Sequence, residues 1–385
     1  MQPTDAVYFT PEHRAFRDTV RRFVRTEMLP NVDAWEAANG FPRDLYRKCG
    51  ALGLLGLGHD EEYGGNPDAD IFHLLVLTEE LVIGAKCGGL AATLMTTYIA
   101  TPPIRALGTP EQKRRFLPKV IGGEWVAALG ITEPSAGSDV AAIRTCAVRD
   151  GDFYVVNGTK TFITCGTEAD YVTTAVRTGD AGHAGISLLV IPTDTPGFSV
   201  ARKLDKMGWR CSDTAELAFQ DCRVPATNLL GRENQGFKAI MGNFQTERLM
   251  LASMATASAE VALQEAIDYA HTRQAFGGPL TDKQVIRHTL AAMATRVDVA
   301  REYVRRVAYR FQHGEDCTAE VSMAKNVAYD TAQAVIDDAV QIHGGTGFMT
   351  GTVVERLYRD NRVLGIGGGT REIMNEIIAR KMGLG

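Results

Sequence analysis

Ile131-Thr132-Glu133-Pro134-Ser135-Ala136-Gly137-Ser138-Asp139-Val140 divides this chain into two kinds of sequence. Taken alone it is a loop, a surface turn capped by Ser and Asp. The segments on either side differ in period. Upstream, Thr10-Pro11 sets an N-cap before a proline at the first helical position, and Phe16, Val20, Phe23 and Val24 follow at i, i+4, i+7 and i+8. Thr109-Pro110-Glu111-Gln112 repeats the signal: Gln112 completes a capping box, and Phe116 with Val120 gives the apolar side. Gly64-Gly65-Asn66-Pro67 and Pro102-Pro103 punctuate these helices.

From about Trp125 the pattern becomes short runs of Val, Thr, Tyr and Phe between turn signals such as Asp150-Gly151-Asp152, Asn157-Gly158 and Asp194-Thr195-Pro196-Gly197. Ile186, Leu188 and Val190 alternate with Ser187, Leu189 and Ile191, the period of strands in an antiparallel sheet. From about Gly236 the helical period returns over 247–271, 284–313 and 318–343, broken mainly at Gly277-Gly278-Pro279 and after His343. The expectation is a mostly α chain with a central antiparallel β domain: a helical domain at 1–125, a β domain at 126–235 and a helical bundle at 236–385.

Composition excludes several functional classes. The chain has 385 residues, 45% hydrophobic and 23% charged, enough for a sizeable core. Its net charge of -5 contains no long basic block, since Arg21-Arg22, Lys113-Arg114-Arg115 and Arg305-Arg306 are short, so nucleic acid is not an expected partner. Seven cysteines form no C-x-x-C pair and read as reduced thiols in a reducing compartment, and eight histidines show no metal-ligand spacing, so no metal is expected. Residues 1–14, with Pro3, Asp5 and Pro11, have no apolar core and do not read as a signal peptide. The longest apolar stretch, 90–100, holds three threonines and falls short of the roughly 18 residues of a membrane span. A cytoplasmic protein without membrane insertion is expected.

Five motifs acting together narrow the reading. The 131–140 loop, Gly158-Thr159-Lys160-Thr161-Phe162-Ile163-Thr164, Arg273-Gln274-Ala275-Phe276-Gly277, Gln341-Ile342-His343-Gly344-Gly345 and Tyr358-Arg359-Asp360, in that order, resemble the acyl-CoA dehydrogenase family across essentially the whole chain. The resemblance implies a helical domain, a β-barrel-like domain and a four-helix bundle, with FAD bound without a dinucleotide fingerprint. The sequence agrees, because no G-x-G-x-x-G follows an expected strand, and Gly53, Gly56 and Gly58 precede no helix start. It further implies that the loop around Leu129, Ile131, Thr132, Gly137 and Ser138, with Phe162, Ile163 and Thr164, covers the flavin ring. Thr132 and Thr164 would hydrogen-bond its polar edge. Ser138 would also meet substrate. Where Phe162 stands the family usually has tryptophan. Arg273, Phe276, Gln341, Gly344 and Gly345 match residues that grip the FAD of a neighbouring subunit, with Thr370 and Glu372 also on the cofactor side. The resemblance thus implies a homo-oligomer, by analogy a homotetramer, with an electron-transfer flavoprotein as acceptor.

The chemistry the resemblance implies requires a base for the α proton of an acyl thioester while hydride leaves the β carbon, and a donor that polarises the carbonyl. Many family members carry the base in a Tyr-Glu-Gly-Thr segment, which aligns here with Gly367-Gly368-Gly369-Thr370. A minority branch resembling isovaleryl-CoA and long-chain acyl-CoA dehydrogenases places the glutamate on a helix, directly before an arginine. Glu247-Arg248 fits that position, so Glu247 is the candidate base and the Gly368 N–H the candidate polarising donor. Arg248 would contact the CoA end or the adjacent loop; a helix-surface ion pair is its alternative. His343 reads as structural or cofactor-side, and Ser135 and Ser138 lack a nucleophile-elbow pattern. Three rival readings on the same fold are a flavin monooxygenase or oxidase, a dehydrogenase of acyl-carrier-protein thioesters, and an inactive flavoprotein scaffold. Acyl chain length and branching are not readable from the sequence.

Overall fold

The helix Gly236–Thr272 contains Leu249-Met250-Leu251-Ala252-Ser253-Met254-Ala255-Thr256-Ala257-Ser258-Ala259, small or apolar on every side rather than along one stripe. A helix of that kind must be surrounded by protein, and small side chains let its neighbours approach closely. The computed structural model describes residues 5–384; residues 1–4, with Pro3 of the N-terminal stretch, and Gly385 lie outside the described residues. Its longer helices are α1 (Pro11–Phe23), α2 (Ile71–Ala85), α3 (Gly88–Met95), α4 (Pro110–Ile121), α5 (Gly236–Thr272), α6 (Gln284–Gln312), α7 (Thr318–His343), α8 (Val353–Asn361) and α9 (Arg371–Lys381). α5 packs against α6, α7 and, from the N-terminal arm, α2, while α9 lies on α7. α5, α6, α7 and α9 thus form the four-helix arrangement of the C-terminal arm.

The local start signals behave as the sequence suggests. Thr109 N donates to Gln112 Oε1 at 2.8 Å and Gln112 N donates to Thr109 Oγ1 at 3.3 Å, closing the capping box at α4. The Gln112 amide also donates to the carbonyls of Thr227 and Leu229, tying α4 to the β region. α1 starts at Pro11 behind the Thr10 cap, with Val20 and Phe23 buried. Of the long segments read as helical, all lie within α5, α6 and α7, apart from His313 just past the α6 end.

The strands are β1 (Ala127–Gly130), β2 (Cys146–Asp150), β3 (Phe153–Thr164), β4 (Tyr171–Arg177), β5 (Ile186–Pro192), β6 (Phe198–Lys203), β7 (Thr214–Pro225) and β8 (Leu229–Leu230). They hydrogen-bond in the order β6-β7-β3-β2-β4-β5-β8, with β1 beside β4. Most pairings are antiparallel, as expected, but β1 and β2 both run parallel to β4, so the sheet is mixed. The reason is topological: the 131–140 loop carries the chain from the end of β1 to the start of β2, and both strands use the same edge of β4 at opposite ends. β6 and β8 end the path unpaired with each other, so among the described residues the sheet is not a closed barrel. β5 is buried on both faces: Ile186, Leu188 and Val190 join the core under α4, and Leu189 and Ile191 join the main core. Its alternation marks two cores rather than a wet and a dry face.

The Tyr358-Arg359-Asp360 motif lies at the junction of the three arms. Asp360, 2% exposed on α8, accepts from Gly88 N at 3.0 Å and from Trp209 N at 2.6 Å, joining the start of α3 and the segment before β7. Asp360→Ala leaves two buried N–H groups unpaired at about 1–3 kcal/mol each. It is expected to lower the thermal unfolding midpoint clearly, and Asp360→Asn less, as followed by far-ultraviolet circular dichroism; a parental midpoint in the alanine variant contradicts this junction.

Candidate active site

Glu247 lies a few turns into α5, and beside its carboxyl stands a residue with no side chain. Gly368 sits at φ +66°, and a Cβ placed there would lie 3.3 Å from Glu247 Oε1, 3.5 Å from Lys325 Cε and 2.5 Å from Leu251 Cδ1. That left-handed backbone conformation and crowding both require glycine. Glu247 is half-buried, and its Oε2 is enclosed with no hydrogen-bond partner among the described residues. Burial raises its carboxyl to about 7, with Arg248 and Lys325 pulling the other way. An unpaired carboxyl poised near neutrality is the form a general base takes.

Two buried cations hold the glycine run. Arg248, 5% exposed, donates from Nε to Gly368 O at 3.1 Å, and its guanidinium lies over the Phe244 ring at 5.7 Å. Of its expected contacts it makes the one to the adjacent loop, and it forms no surface ion pair among the described residues. Lys325, 2% exposed on α7, donates from Nζ to Leu364 O at 2.9 Å and to Gly369 O at 2.8 Å. The sequence reading passed over Lys325, although it stands on the buried stripe of Val321, Ala324 and Ala328, where a lysine is out of place. Thr370 caps α9, its hydroxyl accepting from Ile373 N at 3.3 Å, and Glu372 is exposed in the first turn.

The 131–140 loop is built on a buried ion pair. Lys160, fully buried on β3, donates to Glu133 Oε1 at 2.7 Å and to Ile131 O at 2.9 Å. Glu133 also accepts from Arg144 N at 2.6 Å and Thr145 N at 2.9 Å, while Thr161 N donates to Thr132 O at 2.9 Å. Burial opposes charge on both partners; Lys160 falls to about 8, while the ammonium and the hydrogen bonds hold Glu133 below its usual value. Both residues stand inside quoted motifs, where opposite charges among small hydroxyl residues were the overlooked signal. Leu129 and Thr132 are half-buried, Ile131 is buried, and Gly137 and Ser138 are exposed, with open space where a Gly137 Cβ would stand. Within the second register shift of β3, between Lys160 and Ile163, Phe162 takes φ +59° and is 69% exposed. A bulge with a non-glycine residue at positive φ aims that ring off the sheet. Ile163 is buried opposite Ala215, and Thr164 is half-buried opposite Thr214.

The third group is elsewhere. Arg273, Phe276, Gln341, Gly344 and Gly345 are all exposed, Phe276 at 97%, and the Arg273 side chain makes no ion pair among the described residues. They are brought together where α5 and α7 both end, by Tyr269 stacked on His343 at 4.3 Å. His343 Nδ1 donates to Ala339 O at 2.8 Å, which fixes the ring orientation at the end of α7. Arg273 follows Glu247 by 26 residues along α5, about 39 Å at a rise of ~1.5 Å per residue. The chain therefore separates a base-bearing end from an arginine-bearing end.

Proximity also groups residues that spacing could not. His13, Asp70 and His73 converge, as do Glu36, Cys87 and Cys211. The imidazoles of His13 and His73 complete helix-start boxes at Thr10 and Asp70, which accounts for the first group without an ion. All seven cysteines are free thiols.

An exposed ring on a bulge, open glycine backbone in the 131–140 loop, an enclosed carboxyl without a partner, and an arginine without an ion pair among the described residues at a glycine-rich turn fit a flavin nucleotide. Comparison with known proteins agrees. The chain matches the acyl-CoA dehydrogenase N-terminal domain profile over residues 10–124, the middle domain over 128–222 and the C-terminal domain over 234–383. It is 40% identical over 375 residues to an acyl-CoA dehydrogenase of Bacillus subtilis, covering 97% of this chain and 98% of that one. The long-chain specific acyl-CoA dehydrogenase of Sus scrofa mitochondria is 38% identical over 377 residues, covering 97% of this chain and 87% of that one. The crystal structure of a probable acyl-CoA dehydrogenase from Mycobacterium abscessus superposes with a TM-score of 0.95 at 52% identity, over 97% of this chain and 100% of that one.

Lys160→Met would leave the Glu133 carboxylate buried without its cation, a loss of about 3–5 kcal/mol. The urea midpoint of the variant is expected to fall accordingly and to recover in part when Glu133→Gln is added. Equal midpoints for parent and Lys160→Met contradict an anchoring role.

Proposed function

The chain belongs to the acyl-CoA dehydrogenase family, FAD-dependent oxidoreductases acting on CH–CH bonds, and from that premise we propose that Glu247 is the base that removes the α proton. The observation that carries the proposal is the enclosed Glu247 carboxyl, with Oε2 unpartnered, standing against a glycine that offers no carboxyl of its own. Dehydrogenation of an acyl-CoA gives the trans-2-enoyl thioester, and bound FAD supplies the two-electron acceptor for the β hydride. Glu247 takes the α proton onto its carboxylate. The Gly368 N–H, on the turn fixed by Arg248 through the Gly368 carbonyl, donates to the thioester oxygen and so acidifies the α carbon. Arg248 serves by holding that turn.

The exposed Phe162 ring, with Leu129, Ile131, Thr132, Gly137, Ser138, Ile163 and Thr164, would hold the flavin ring, and Ser138 would also face substrate. Arg273, Phe276, Gln341, Gly344 and Gly345, with Thr370 and Glu372 on the same cofactor, would hold the rest. Because Arg273 is so far from Glu247 along α5, these two groups serve one FAD only when they come from two chains, which supports a homotetramer or another homo-oligomer. We divide the chain functionally at about residues 125 and 235. Electrons would pass to an electron-transfer flavoprotein in the cytoplasm. No helix among the described residues is long and apolar enough to cross a membrane.

Glu247→Gln keeps shape and removes basicity, so anaerobic flavin reduction by acyl-CoA is expected to fall by about 10²- to 10⁴-fold while FAD is retained. In the parent, the carboxyl is protonated below its raised value of about 7, so the reduction rate should climb with pH through that region and then level. Parental reduction rates in Glu247→Gln sink the assignment. Arg273→Ala, in turn, is expected to lose FAD on gel filtration and to elute as a smaller species. An unchanged flavin content and elution volume contradict the two-chain site.

A further inference from the structure

Lys325 has no place in the account so far beyond holding a turn, yet its setting is costly. A buried ammonium is stable only when its charge is compensated. Two of its three donors go to Leu364 O and Gly369 O, and it forms no ion pair among the described residues. The nearest compensating charge is Glu247: the Lys325 stem and the Glu247 carboxylate both lie against the Gly368 Cα, at 3.5 and 3.3 Å from where its Cβ would stand. Arg248 holds Gly368 O from the other side, so two cations and one carboxyl enclose a turn whose own atoms are all backbone.

We propose that Lys325 is a positioning residue for dehydrogenation: its ammonium holds the 364–369 turn by two carbonyls, and its charge keeps the Glu247 carboxyl available as a proton acceptor. The inference rests on the reading of Glu247 as the base. The turn needs only a donor, whereas the carboxyl needs a charge, and these two roles are separable. The charged groups acting on Glu247 are Arg248 from its own helix and Lys325 from α7; the 364–370 turn contributes none. Burial, then Arg248, bring Lys325 down to about 8, with Glu247 opposing, so it stays cationic at neutral pH. A glutamate raised by burial and partly restored by an adjacent cation rises further when that cation is lost.

The test compares the parent holoenzyme with Lys325→Gln, which retains an N–H donor without charge, Lys325→Arg, which retains both, and Lys325→Met, which retains neither. The titration of the Glu247 carboxyl is read by difference infrared spectroscopy without substrate, with Glu247→Gln as the blank. Anaerobic flavin reduction is followed across pH with butyryl-, isovaleryl- or palmitoyl-CoA, whichever reduces the parent fastest. In Lys325→Gln the infrared midpoint and the rising limb of the rate are both expected to move alkaline, with about fivefold less ionised Glu247 at pH 7. Lys325→Arg should stay near the parent. If Lys325→Met does not fold, the glutamine variant still decides. A Glu247 midpoint and pH limb unchanged in Lys325→Gln, or a rate lowered equally at every pH, overturn the inference and leave Lys325 as a turn anchor. Parental flavin reduction by Glu247→Gln instead overturns the base reading, and with it any part for Lys325 in the reaction.

Discussion

Enclosing a carboxyl disfavours its charged form unless nearby cations oppose the loss of water, and the site around Glu247 is organised by that constraint. Desolvation disfavours its ionised form, while Arg248 and Lys325 favour it, and the balance leaves the group near 7. Neither cation forms an ion pair with it. Both are spent on backbone carbonyls of the glycine run, so the carboxylate is influenced by charge but not occupied by a donor. A direct salt bridge would have lowered its basicity and blocked the oxygen that must meet a substrate. The glycine at position 368 follows from the same geometry, since any side chain there would meet Leu251 and Glu247.

The rest of the fold delivers α5 to that position. Its small, apolar middle allows α2, α6 and α7 to close around it, and Asp360 ties the helical arms to the β region at one point. The β region contributes a sheet whose 131–140 loop is locked by Lys160 and Glu133, leaving the Phe162 ring facing outward. The length of α5 has a consequence of its own. The Glu247 end and the Arg273 end stand about 39 Å apart along it, which supports the proposal that two chains grip one flavin nucleotide.

Much of the fold was legible because its signals are local. Thr109 and Gln112 announce α4 by a capping box that the structure contains, and the apolar periods of α5, α6 and α7 are long enough to leave no strand alternative. The parallel pairing of β1 and β2 with β4 was not legible, since strand direction depends on where a loop returns the chain rather than on residue pattern. Glu247 was singled out as a candidate because Gly368 drew attention to a missing carboxylate. Lys325 and the Glu133–Lys160 pair escaped because burial of a charge is a property of the packed state; their only trace is a lysine on an apolar stripe and two opposite charges in separate motifs, one in a loop and one on a strand. The enclosed Oε2 of Glu247 is not the setting of a solvated helix-surface glutamate.

The most direct measurement is a crystal structure of the FAD-loaded oligomer with a non-oxidisable thioether analogue of an acyl-CoA. The account predicts a Glu247 carboxylate oxygen about 3–3.5 Å from the α carbon, on the face opposite the flavin. A Glu247 carboxylate turned away from the α carbon, with another acid in its place, would contradict it.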